Sequence, residues 1–141
     1  MESDARHRYV LDTNTLVSAF LFPGSVPGRV LECVLGGHTL LMSLELAAEL
    51  AEVFRRNRFD RYLSLARREE LVAGAIRQSE FVVTSTRIVV CRDDKDNKVL
   101  DLGVDGNDAA IISGDLDLLA LHPFKGISIV RPREFLECVR P

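Results

Sequence analysis

The chain has 141 residues, a length that suits one compact domain with its own core. An apolar fraction of 47% beside 28% charged residues is globular composition and excludes a disordered chain. The formal net charge of −3 argues against a nucleic-acid coat held by charge alone, which would be basic, but leaves room for acids that a metal ion neutralises.

The first segment, Met1 to Arg8, is polar and carries no apolar signal stretch. No apolar run approaches the ~20 residues that cross a bilayer, so a soluble, cytoplasmic protein with no membrane partner is expected. Tyr9-Val10-Leu11 reads as a buried strand that stops at Asp12. Thr15 to Phe22 reads as a helix, broken by Pro23-Gly24-Ser25. A second helix is predicted from Pro27, a good first-turn residue, to Leu35, with Gly36-Gly37 ending it.

Thr39 to Met42 is a second strand, and Ser43 a good N-cap for the helix after it. Leu46, Leu50, Val53 and Phe54 form the apolar stripe of that helix. Arg55, Arg56, Arg58 and Arg61 cluster at its end, followed by Arg67 and Arg68. These arginines read either as a track for RNA phosphates or as a solvated helix face. Phe54 and Phe59, between them, read as core or dimer contacts.

A further helix is predicted from Ser64 to Gln78, then extended segments at Glu80 to Val83 and Ile88 to Val90. Cys91 to Lys98 reads as a charged loop, Val99 to Leu102 as a short helix, and Gly103 to Asn107 as a turn. Ala109 to Ile112 is a third apolar strand, ended by Ser113-Gly114-Asp115. Ile127 to Val130 is a last strand and Arg133 to Val139 a last helix. Strands alternating with helices imply a parallel sheet covered on both faces. There are no repeats and no linker, so a single domain is expected across 1–141, with its core at about 8–137.

Sites in open parallel sheets form beyond the carboxyl ends of the strands. Asp12 and Asp115 both stand where an apolar strand ends. Glu49 lies three residues after Leu46 and four before Val53, at the edge of the buried stripe, where a carboxylate needs a partner or a proton. Glu45 and Glu52 point further toward solvent. Asp96 precedes the helix expected near Val99, and its alternative reading is an N-cap. Acids converging at one sheet end repel one another, and hard divalent cations such as Mg²⁺ or Mn²⁺ remove that penalty. Two such ions ~4 Å apart can activate a water and stabilise a leaving oxygen.

Other chemistry is poorly supported. Cys33, Cys91 and Cys138 are odd in number and widely spaced, so they read as reduced thiols, two of them buried in helices. His7, His38 and His122 fall in or beside loops and read as surface residues. The aspartate loop lacks the spacing of an EF-hand, and Gly103 to Gly106 lacks the lysine of a P-loop.

Leu11-Asp12-Thr13-Asn14-Thr15-Leu16-Val17-Ser18-Ala19 closely resembles the opening motif of PIN-domain proteins. Met42-Ser43 through Glu49-Leu50 resembles the segment with their second acid, and Arg92 to Leu100 the loop with the third. Ser113-Gly114-Asp115-Leu116-Asp117-Leu118-Leu119 resembles the motif with the fourth. The likeness spans Tyr9 to Leu136 and is nearest to the bacterial toxins of toxin–antitoxin systems. It implies a three-layer α/β/α sandwich with a mainly parallel sheet, and metal-dependent endoribonuclease activity. The implied acids are Asp12, Glu49, Asp96 and Asp115, with Asp117 as an extra metal ligand and Asn14 and Ser113 orienting the acids. It also implies a small antitoxin partner and a homodimer. Two features depart from the pattern. Asp108 then Ala109 stands where many relatives have Ala then Asp, and Asp93 and Asp94 compete with Asp96 for the third role. Two alternatives remain: a non-catalytic RNA-binding PIN module, and a haloacid-dehalogenase-like phosphatase. The latter needs a second aspartate two residues after the first, where this chain has Asn14.

Overall fold

The computed structural model describes residues 6–107 and 109–138. Asp108 and Val139, both used above, lie outside them. Five strands are present: β1 (Arg8–Leu11), β2 (Thr39–Met42), β3 (Glu80–Phe81), β4 (Ala110–Ile112) and β5 (Ile129–Val130). Seven helices connect and flank them: α1 (Thr13–Leu21), α2 (Val26–Gly37), α3 (Leu44–Val53), α4 (Leu65–Gln78), α5 (Asp94–Asp105), α6 (Leu116–Leu119) and α7 (Pro132–Cys138).

The strands form one sheet in the order β3-β2-β1-β4-β5, and every pair is parallel. The expected parallel sheet flanked by helices is therefore present. Val10, Leu11, Leu40, Leu41, Met42, Ile111 and Ile112 are sealed from solvent, which is why these strands read as unbroken apolar runs. The chain steps outward from β1 through β2 to β3, then returns to place β4 and β5 on the other side of β1. With the right-handed crossovers usual for parallel strands, this order implies α1 to α4 on one face and α5 and α6 on the other. The reversal at β1 and β4 is a topological switch point, the place where such sheets build sites.

Several elements differ from expectation. The charged stretch before Val99 is not a loop: α5 starts at Asp94 and runs twelve residues. The Asp93 side chain caps it by accepting from Lys95 N, and Asp94 and Asp96 in the first turn suit the positive end of the helix dipole. A helix start this rich in acids mimics a solvated loop in sequence. Gly103 is not a turn residue but sits inside α5, where a Cβ would meet Ile111 Cδ1 at 2.9 Å. Its role is to let α5 approach β4.

The extended segment at Ile88 to Val90 joins no strand among the described residues. Its amides go to α5 instead. Asn97, Asp101 and Asp105 recur at four-residue spacing along that helix. Asp105 Oδ2 accepts from Ser85 N at 2.7 Å and Thr86 N at 3.0 Å. Asp101 Oδ1 accepts from Ile88 N at 2.6 Å, and Asn97 Oδ1 from Val90 N at 3.1 Å and Cys91 N at 2.9 Å. Three side chains of a helix thus do the work of a neighbouring strand.

α1 begins at Thr13, two residues earlier than expected, because Asp12 is its N-cap. α2 runs through Gly36 and Gly37 and closes at His38. Ser43 and Ser64 cap α3 and α4 as their sequence positions suggest. α6 was not foreseen; Asp115 caps it.

The basic stretch needs a correction at Arg68. It is neither on a phosphate track nor on a solvated face but is 1% exposed. Its guanidinium donates to Leu63 O at 3.1 Å, Phe54 O at 2.7 Å and Arg56 O at 3.2 Å, and also to Asp60 Oδ1. Arg68 therefore fastens the whole turn from residue 54 to 63, including a 3-10 segment at Asn57–Phe59. Phe54 and Phe59 are core residues, with Phe54 stacked on Phe20. The thiols also differ from expectation. Cys33 in α2 and Cys91 before α5 are half-buried, Cys138 is exposed, and all three are free. No helix among the described residues is long and apolar enough to cross a membrane.

Candidate metal centre

Asp12 ends β1, and Asp115 follows β4 by three residues. The register pairs Leu11 with Ile112, so Asp12 and Ser113 emerge side by side. Ser113 Oγ donates to Asp12 Oδ2, and Asp12 Oδ1 accepts from Thr15 N at 3.0 Å. Ser113 Oγ also accepts from Asp115 N at 2.9 Å. Asp115 Oδ1 in turn accepts from the N–H groups of Asp117 and Leu118, at 2.8 and 3.2 Å. One buried hydroxyl thereby links the first and last acids.

Asp12, Glu49, Asp96 and Asp115 all line one cleft of about 160 Å³, together with Thr13, Asn14, Asp93, Lys95, Arg56 and Arg58. Thr13 and Lys95 stand in this lining without a distinguishing mark in sequence. Their signals were weak: a threonine inside a helix start, and one lysine among many charges. No histidine lines the cleft.

Asp96 projects from the first turn of α5, only 9% exposed, and among the described residues its carboxylate accepts no hydrogen bond. Burial pushes its pKa up to about 6, helped by the negative charges of Asp115, Asp93, Asp12 and Asp117. Burial also raises Glu49, opposed by a side-chain hydrogen bond from Thr13 and by the Lys95 ammonium, with Asp93 and Asp12 adding to the rise. The Lys95 Nζ lies 3.8 Å from Glu49 Oε2. Asp93 is occupied as the cap of α5, while Asp94 is exposed and faces Lys98 at 3.3 Å.

Asp117 does not line the cleft but stands at its edge, held by Arg92 at 3.0 Å. One carboxylate oxygen each of Asp96, Asp115 and Asp117 lies within 4.8 Å of the other two. Asn14 is exposed at the cleft and makes no hydrogen bond to the acids, unlike Ser113. Of the surface arginines, Arg56 and Arg58 line the cleft. Arg55 faces a separate groove between α3 and α4, and Arg61 packs over Tyr62.

The residues present fit a divalent cation. Three carboxylate oxygens converge, and the Asp96 carboxylate among them lacks any donor among the described residues. Oxygen-only donors of this kind suit a hard ion that retains waters.

A parallel sheet with carboxylates gathered at its switch point defines an α/β protein with an acidic cleft. The family model for the PIN domain matches residues 8–117, and the chain belongs to that family. Among curated proteins it is 26% identical over 140 residues to the uncharacterized protein MJ1680 of Methanocaldococcus jannaschii, an alignment covering 92% of this chain and 90% of that one. Among solved structures it is similar to VapBC2 from Rickettsia felis, solved bound to a DNA fragment from its promoter. The TM-score is 0.62 at 13% identity, covering 88% of this chain and 98% of that one. It is also similar to PAE2754 from Pyrobaculum aerophilum, with a TM-score of 0.63 at 11% identity, covering 97% and 92%. These two likenesses establish the fold. The curated relative is archaeal, so the comparisons do not single out the bacterial branch.

Proposed function

We propose that the chain is a metal-dependent endoribonuclease, in which Asp12, Glu49, Asp96 and Asp115 serve Mg²⁺ or Mn²⁺ and RNA is cut at its phosphodiester bonds. The observation that carries this reading is the convergence of those four carboxylates, from four separate segments, on one cleft. When bound, such an ion activates a water and stabilises the charge that develops on the leaving oxygen.

The chain's own residues do the rest. Ser113 fixes the orientation of Asp12, and the amides of Asp117 and Leu118 fix that of Asp115. Asp96 takes the third role in preference to Asp93, which caps α5, and Asp94, which is turned toward Lys98. Asp117 supplies an additional ligand at the edge, and Asn14 on the cleft wall helps orient the acids through waters. Arg56 and Arg58 receive the RNA phosphates at the cleft wall, with Arg55 and Arg61 as further basic groups of the same stretch.

The likeness to toxins of toxin–antitoxin systems supports a small antitoxin protein as partner, and the similarity to VapBC2 agrees with it. A homodimer and a cytoplasmic setting, with the whole of 1–141 as one domain, complete the reading. The phosphatase alternative lacks its acid, because Asn14 stands two residues after Asp12.

The test is cleavage of defined RNAs with and without Mg²⁺ or Mn²⁺, beside Asp12→Asn and Asp115→Asn. Metal-dependent cleavage lost in both variants is expected. Unchanged cleavage in Asp115→Asn overturns the reading. RNA binding without any cutting points instead to a binding module, and hydrolysis of a small phosphomonoester with a trapped aspartyl-phosphate points to the phosphatase.

A further inference from the structure

We infer that the Lys95 ammonium occupies the position of a second cation in the cleft, so that the centre takes one divalent ion per chain. The inference rests on the metal-dependent reading above and concerns how its site is loaded.

Apart from Asp12, held by Ser113, and Asp93, the cap of α5, the acids in the cleft and at its edge fall into two groups. Asp96, Asp115 and Asp117 bring oxygens within 4.8 Å of one another, and Glu49 is not among them. Glu49 instead faces the Lys95 Nζ at 3.8 Å. The first group has no cation within it, apart from Arg92 on the outer side of Asp117. The second already has one.

Thr13 also lines the cleft, and its side chain lies against Glu49, not against the Asp96 group. An ion among Asp96 and Asp115 answers the bare carboxylate of Asp96. A second ion at Glu49 would instead have to displace an ammonium of like charge.

The Lys95 backbone is fixed as the second residue of α5, its N–H bonded to Asp93 Oδ1 at 3.0 Å. The other lysine of that turn, Lys98, has its own partner in Asp94 on the outer surface. Lys95 is also half exposed, so the fold does not depend on its side chain.

The experiment is equilibrium binding of Mn²⁺ to the metal-free full chain, with free Mn²⁺ read by its electron paramagnetic resonance signal. Wild type and Lys95→Arg are expected to bind one Mn²⁺ per chain, and Lys95→Gln two. Lys95→Met, of similar length and no charge, repeats the gain if Lys95→Gln melts early. Two ions in wild type, or a single ion in both neutral variants with unchanged melting, overturns the inference while leaving the ribonuclease reading intact. No Mn²⁺ bound by any of the four proteins removes the metal-dependent reading itself, and the inference with it.

Discussion

The hydroxyl of Ser113 donates to the carboxylate of Asp12 across the seam between β1 and β4. The two residues are far apart in sequence, and the contact follows from register alone. Leu11 pairs with Ile112, so the next residue on each strand leaves the sheet at the same level. Both side chains are almost wholly buried, Ser113 completely. The bond therefore holds the first acid in one orientation, and the same oxygen accepts the amide of Asp115.

Ser113→Ala should keep the fold, at a cost of about 1 kcal/mol for the lost hydrogen bond. Cleavage of RNA should fall by roughly 10–100-fold, the usual effect of removing a group that orients a metal ligand. Side-by-side melting curves and initial rates measure both. Full activity in this variant would mean that Asp12 orients itself without help.

The metal-free protein should be stabilised by Asp96→Asn, and only at higher pH. The folded pKa of Asp96 is raised to about 6, above its ordinary range, so the folded state holds this proton more tightly than the unfolded state. The stabilising effect of that proton is fully present below the unfolded value of ~3.9 and is lost as pH rises through ~6. Above that, wild type carries the whole penalty of a buried charge, and asparagine carries none. Melting temperatures measured from pH 4 to 8 should converge at the acid end, with the variant higher at the neutral end. Equal curves at pH 8 would contradict the raised value.

Arg68→Ala should destabilise the chain by about 3 kcal/mol, because three backbone carbonyls and Asp60 lose their shared donor in a buried setting. For a chain of this size that is a fall of roughly 6–12 °C in Tm. Arg68→Lys should not rescue it, since a single ammonium cannot reproduce the planar fork. A thermal melt of the two variants decides the point, and a lysine variant as stable as wild type would refute the fork argument.

Asn97→Ala should release the segment before α5 without unfolding the sheet. Amide exchange at Val90 and Cys91, the two groups that Asn97 accepts from, should become markedly faster. The amides of Ser85 and Thr86, held by Asp105, should change less. Unaltered protection at Val90 and Cys91 would show that the ladder of side chains is not what secures them.

Sequence made some of these features readable and hid others, for physical reasons. Asp12 and Asp115 follow buried apolar runs, and a parallel sheet sends such strand ends to one place. Glu49 was visible from its angle to Leu46 and Val53. Asp96 depended on resemblance, because an acid-rich helix start has the composition of a loop. Arg68 was hidden for a different reason. Its neighbours are charged, and only the carbonyls of the turn at 54–63 make burial of a guanidinium worthwhile. Lys95 and Thr13 carry no periodic signal at all. Their importance lies in their placement against Glu49, which only coordinates reveal.

The switch point at β1 and β4 also sets a timetable. A ribosome delivers Asp12 and Glu49 well before it delivers β4, and Asp96 shortly before. Until Ala110–Ile112 docks beside β1, there is no Ser113 to latch the first acid and no fourth acid to complete the set. A chain still being made is thus catalytically silent on the proposed reading, however much of its amino-terminal half has folded. For a cell that makes a nuclease among its own messages, activity on that reading arrives only once β4 has been made.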